Sequence, residues 1–181
     1  METSVLKMTK WVHDQAHSEI GFRVKHLMIT NVKGSFKEYK IDMESYGEDF
    51  EDAKIKFSMN PASIDTGDEK RDAHLRSADF FDVEKFREII FVGDKIEKLN
   101  PETFKLYGDL SMRGITRKVA LDVEFGGMMK DPWGNTKAGF TVNGKINRKD
   151  WGLNWNAALE TGGVLVSDEV RINCDIQLIK K

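Results

Sequence analysis

Arg71, Asp72 and His74 stand close together in PASIDTGDEKRDAHLRSADFFD (61–82). An arginine fork can hold a carboxylate or phosphate. A carboxylate two residues from an imidazole can move a proton. The trio therefore admits three readings. It is a mouth for a polar or anionic head group, an acid–base pair acting on a small molecule, or an ion pair and a histidine that anchor a short helix. Thr66 and Glu69 have the T-x-x-E spacing of a capping box, which predicts a helical stretch within 66–82.

Arg148 follows Ile146 with inward strand parity. An inward cation needs a partner, and Asp168 or Asp72 could supply it, either as a structural ion pair or beside a ligand. His13 and His17 have metal spacing only on a helix. Their strand-like neighbours and the lack of a glutamate partner argue against a metal. Ser18 and Ser111 have no nucleophile-elbow setting. The single cysteine, Cys174, shares parity with Val170, Ile172 and Ile176, which predicts a buried thiol with no basic partner to activate it. No intrachain disulfide is possible. The expectation is no catalytic residue and no metal.

What must position these groups is a sheet. The chain has 181 residues, 40% hydrophobic and 32% charged, enough for one domain with a core. A net charge of −2 from 28 basic and 30 acidic residues, without a basic patch, gives no footprint for nucleic acid. The opening METSVLKMTKW lacks the apolar stretch of a signal peptide, so the expected location is cytoplasmic, or periplasmic or secreted if a signal was removed. No run reaches the roughly 20 apolar residues of a membrane span. Residues 1–10 read as flexible.

Alternation predicts about eight strands. SEIGFRVKH (18–26) is the first. NVKGSFKEYKIDM (31–43) is the second, with one extra residue between Phe36 and Tyr39 that predicts a β-bulge. SYGEDFED reads as an acidic connection before AKIKFSM (53–59). EIIFVGDKIEKLN kinks at Gly93, and TFKLYGDLSM points Phe104, Leu106, Leu110 and Met112 inward. VALDVEFG, GFTVNGKINR and a long final strand follow, with a DPWGN turn and the glycine-rich WGLNWNAALETGG between them. Trp133 in that turn is a dimer contact or an exposed aromatic. The fold class is all-β, an antiparallel sandwich or barrel. Its inward set includes Phe104, Phe125 and Met43 as well as the phenylalanines named below. Such walls suit a filled core, as in a dimeric adaptor, or a lipid cavity, and periodicity does not choose.

Several stretches carry a resemblance. WVHDQAHSEIGFRVKHL (11–27), NVKGSF (31–36), SIDTGDEKRDAHLRSADFFDVEKF (63–86), LSMRGITRKV (110–119), INRKDWGLNWN (146–156) and SDEVRINCDIQ (167–177) resemble, in order, the motifs of the YceI family over roughly 11–178. Arg87 stands near where the family usually has proline, and Trp151 where Phe or Tyr is commoner. Many members carry a secretion signal that is not seen here.

The resemblance implies a roughly eight-stranded, lipocalin-like antiparallel barrel with a short helical insertion around 66–82. It implies a homodimer, and an apolar tunnel that binds, transports or stores a polyisoprenoid, a quinone-like molecule or a fatty-acyl lipid without catalysis. No cofactor is required. On this reading Phe22, Val24, Phe36, Phe57, Met59 and Phe91 line the tunnel, joined by Leu110, Met112, Phe140 and Trp155. The insertion adds Ile64, Leu75, Phe80 and Phe81. Arg71, Asp72, His74 and Arg148 face the head group. At about 0.8 kcal/mol per buried CH₂, an isoprene unit contributes on the order of 3–4 kcal/mol gross. Two or three units then reach micromolar affinity after association costs, so binding needs no dedicated polar site.

Overall fold

The computed structural model describes residues 7–47, 49–157 and 165–181. Its strands are β1 (Met8–His13), β2 (Glu19–His26), β3 (Thr30–Phe36), β4 (Tyr39–Tyr46), β5 (Asp49–Met59) and β6 (Ile64–Asp65). After one helix, α1 (Glu69–Arg76), come β7 (Ile89–Asn100), β8 (Thr103–Met112), β9 (Ile115–Lys130), β10 (Thr136–Asn147) and β11 (Val166–Lys180). All pairings are antiparallel, and β1 bonds both β4 and β11, so the sheet closes on itself. β1 and β2 lie end to end along β11, with β4 and β3 as their respective partners. The wall is therefore a closed barrel of eight strands, the number that alternation predicts and the closure that the resemblance implies. The two-residue β6 hydrogen-bonds the end of β3.

The bend in the second wall strand lies where the sequence places it, but its cause is across the ladder. Val12 faces Asp42 and Ile20 faces Phe36. The β1–β2 side takes eight steps while its partner takes six, so the surplus is not between Phe36 and Tyr39. It is wound into a 3-10 turn at Gln15–His17. Met8–Lys10, expected to be flexible, are strand residues paired to Tyr46–Glu44; residues 1–6 lie outside the described part. The acidic connection is also shorter than expected, because β4 ends at Tyr46, β5 begins at Asp49 and Phe50 enters the core. Residue 48 is outside the described part, as are residues 158–164 of the glycine-rich loop. Gly93 does mark a register shift in β7. Opposite it, Gly108 has to be glycine, since a Cβ there would collide with the Phe91 ring and the Val92 carbonyl.

α1 starts at Asp68, not at Thr66. The Asp68 carboxylate accepts the backbone amides of Lys70 and Arg71, the orphan donors of a first turn. Thr66 is used elsewhere, as shown below.

Asp14 ties the broken strand to the rest of the barrel. One carboxylate oxygen accepts the Ala16 amide at 3.2 Å. The other accepts Lys137 Nζ at 3.0 Å from β10, Gln177 Nε2 at 3.1 Å from β11, and His17 Nδ1 at 3.0 Å. Burial alone would raise its pKa, but the hydrogen bonds from Lys137 and His17 outweigh that and hold it at about 2, against an ordinary 3.8. The folded value lies below the unfolded one. Its contribution is therefore fully present above pH 4 and fades as pH falls toward 2. Asp14→Asn is expected to lower Tm at pH 7, and the gap to the parent protein should narrow progressively between about pH 4 and 2 in thermal melts. A gap that stays constant across that range would contradict this role.

Candidate functional site

The two ends of the barrel interior are built differently. At the end near the β9–β10 turn the rings of Phe50, Phe125 and Phe140 touch pairwise with centroids 5.3 Å apart. Trp11 joins Phe50 at 6.0 Å and donates its indole N–H to Ser45 Oγ at 2.9 Å. Only a void of about 50 Å³ is left there. The opposite end holds a cavity of about 420 Å³, within the roughly 300–1,000 Å³ of small-molecule sites.

Most residues expected to line a tunnel line this cavity. Phe22 and Val24 of β2, Phe36 of β3, Phe57 and Met59 of β5 and Phe91 of β7 form one side. Leu110 and Met112 of β8, with Trp155, form another. The insertion closes it with Leu75, Phe80 and Phe81. Phe81 meets Phe36 edge-on at 5.9 Å, and Phe80 packs on Trp155 at 5.4 Å. Two expected positions are corrected. Phe140 belongs to the filled end and borders only the small void. Ile64 is 3% exposed and belongs to the hydrophobic core but not to the cavity lining. Parity cannot make this distinction, because Phe140 and Phe57 both face inward and differ only in depth. The expectation missed Ile20, Val142, Ile146 and Ile172, which also line the cavity and carried the same inward parity.

The polar groups separate as well. Arg71 and Asp72 do not form a pair; each binds Thr66. Arg71 donates from Nε to Thr66 Oγ1 at 2.7 Å and from Nη2 to Thr66 O at 2.8 Å. Asp72 Oδ1 accepts the Thr66 amide at 2.9 Å and its hydroxyl at 2.5 Å. Asp72 is buried and does not reach the cavity, which corrects its expected place at the head group. His74 does line the cavity, but its Nε2 is held by Asp79 Oδ2 at 2.8 Å, and its ring stands edge-on to Phe80 and Trp155. Asp72 and His74 therefore do not converge on one point.

Arg148 is 3% exposed and lines the cavity. Its guanidinium donates chiefly to backbone carbonyls: Leu153 at 2.5 Å, Trp155 at 2.8 Å, Ser167 at 2.9 Å and Val166 at 3.5 Å. Asp168 is 3.8 Å away and Asp72 is not its partner. Burial lowers its pKa and Asp168 pulls the other way. Trp151 uses the feature that Phe lacks, an indole N–H donated to Leu110 O at 2.9 Å. Cys174 lines the inner wall as a buried thiol, pushed up to about 12 by desolvation, so it stays protonated.

Among the described residues no carboxylate side chain belongs to the lining; its charged or titratable groups are Lys25, His26, Lys70, Arg71, His74, Arg148 and Cys174. Lys25 and Lys70 are the exposed members. The cavity therefore reaches solvent between the end of β2 and the first turn of α1. Trp133, at the opposite end, is 82% exposed.

Comparison with known proteins agrees with this picture. The family model described as the YceI-like domain matches residues 11–178. A UPF0312 protein of Staphylococcus aureus is 40% identical over 171 residues, covering 94% of this chain and 97% of that one. The crystal structure of a YCEI protein of Campylobacter jejuni superposes with a TM-score of 0.73 at 31% identity, covering 100% of this chain and 99% of that one. A polyisoprenoid binding domain from Saccharophagus degradans shares the fold, with a TM-score of 0.65 at 12% identity and coverage of 97% and 100%.

The insertion contributes apolar wall through Phe80 and Phe81, while Arg71 is already satisfied by Thr66. Phe80→Ala and Phe81→Ala are each expected to change uptake of a fluorescent prenyl chain several-fold more than Arg71→Ala. Equal uptake in the three variants would reduce the segment to scaffold.

Proposed function

The chain belongs to the YceI-like family, and on that footing we propose that it is a non-catalytic binder of a long-chain amphiphile, an isoprenoid or a chemically similar lipid. The observation that carries the reading is the cavity itself. It is apolar over nearly all its wall, about 420 Å³ in volume, and reaches the surface at one end. A chain lying in it gains by burying methylenes against phenylalanine and aliphatic side chains. The polyisoprenoid binding domain of Saccharophagus degradans supports the isoprenoid class. The physics of an apolar wall equally suits a quinone tail or a fatty-acyl chain.

The head group of such a lipid would stay at the rim. Arg71 is the expected contact there, because Thr66 takes only its Nε and Nη2, whereas Arg148 is committed to carbonyls and His74 to Asp79. Arg148 then acts through the loop it holds. Its four carbonyl bonds fix the segment that presents Trp155 to the cavity. With binding at one end of a barrel and release through the same rim, transport or storage of the lipid is the role this reading favours.

The test is a chain-length series of prenyl alcohols. Affinity is expected to rise at least about tenfold per added isoprene unit until the cavity is full, and then to level off. Ile172→Trp, which fills the cavity from β11, should weaken the longer members at least about tenfold while the melting curve stays cooperative. Affinities independent of chain length, or untouched by Ile172→Trp, would overturn the reading.

A further inference from the structure

The turn between β2 and β3 breaks a local rule. Leu27 and Met28 have φ of +55° and +62°, and the Ile29 amide closes the turn on the His26 carbonyl at 3.2 Å. Two successive residues with positive φ make the hairpin turn for which Asn-Gly is the natural filling. A side chain with a Cβ is strained there. This chain instead places Leu, Met and Ile at 27–29, and they are 38%, 54% and 78% exposed. Three consecutive exposed apolar residues on a strained turn gain nothing from the fold. Where a local rule is broken without a packing gain, function is the first explanation to examine.

The place of the turn supplies that function. It directly follows Val24, Lys25 and His26, which line the cavity, and the Leu27 amide is bonded to the carbonyl of Leu165, another lining residue. The apolar tip thus stands on the rim of the opening. Around it, Lys25, Lys70 and Arg71 have no ion-pair partner among the described residues. The carboxylates nearby have hydrogen-bonding roles of their own, and Asp68 alone also acts electrostatically on Lys70 and Arg71, without a bond to either side chain. Asp68 caps α1, Glu69 binds Arg76, Asp72 binds Thr66 and Asp168 faces Lys149. Met129 and Trp133 are also exposed, but they crown the filled end, with no cavity open beneath them.

We propose that this turn docks the open end of the barrel on an anionic lipid bilayer. Leu27, Met28 and Ile29 enter the acyl boundary, and Lys25, Lys70 and Arg71 lie against anionic head groups. An apolar tip within a basic collar is the composition that holds a protein in the plane of a membrane interface. Docked in this way, the rim faces the acyl region, so a lipid tail passes between bilayer and cavity without crossing water. The inference goes beyond cavity binding and is read by a separate measurement.

The experiment is flotation of the purified full chain with vesicles of phosphatidylcholine alone, or of phosphatidylcholine with phosphatidylglycerol. Partition is expected into the anionic vesicles, weakening as salt is raised. Met28→Ser with Ile29→Ser should lower it at least about tenfold. Leu27→Asn with Met28→Gly should lower it similarly while raising Tm, because it relieves the strained turn. Prenyl alcohol uptake from dispersion, measured on the same variants, should match the parent protein. Absence of partition at low salt, partition of both double variants equal to that of the parent protein, or a loss of self-association rather than of vesicle binding in those variants would overturn the proposal.

Discussion

The structure depends on unequal filling of one closed barrel. Eight strands enclose one interior, and apolar side chains point into it from both ends. At one end Phe50 turns in from the start of β5 to meet Phe125 and Phe140. Those three rings, with Trp11, leave almost no space. At the other end the ring pairs Phe36–Phe81 and Phe57–Phe91 leave about 420 Å³ open. The wall there faces open volume, and its apolar atoms lack the dispersion partners that a packed core supplies. A cavity of this kind is most stable when something apolar occupies it.

That open end keeps its shape through polar groups whose partners are backbone carbonyls, Thr66 and Asp79. Arg148 draws together the carbonyls of Leu153, Trp155, Val166 and Ser167. The carbonyls take its hydrogen bonds, Asp168 stands 3.8 Å from it, and no carboxylate among the described residues lines the cavity. Trp155 then meets His74 edge-on and Phe80 at a tilt, which links the β11 side of the rim to the insertion. Thr66 does the corresponding work before α1 by serving Arg71 and Asp72 at once. The residues that look most like chemistry in the sequence are thus largely the joinery of the opening.

The wall strands were legible because alternation reports which way a side chain points, and the kink at Gly93 was legible because the missing Cβ is local. Three features needed information that one strand does not hold. The bend near Phe36 comes from surplus residues in the paired strand, and that count exists only once Val12 is set against Asp42. The cap of α1 was a competition between Thr66 and Asp68; Asp72, six residues beyond Thr66, took the threonine hydroxyl and left Asp68 to the helix. Depth along the barrel axis is invisible to parity, so Phe140 was grouped with residues of the opposite end. The strained turn at Leu27 and Met28 was missed because apolar residues conceal a left-handed turn that glycine or asparagine would announce.

The central claim is that the open end of the barrel holds a lipid chain. Native mass spectrometry of the purified protein, followed by solvent extraction and identification of what is released, tests it most directly. The account predicts a mass increment of one lipid per chain, released as an amphiphile with a long hydrocarbon tail and retaken by the delipidated protein from an added prenyl alcohol. A protein that carries no lipid as purified and takes up no prenyl chain when offered one would contradict it.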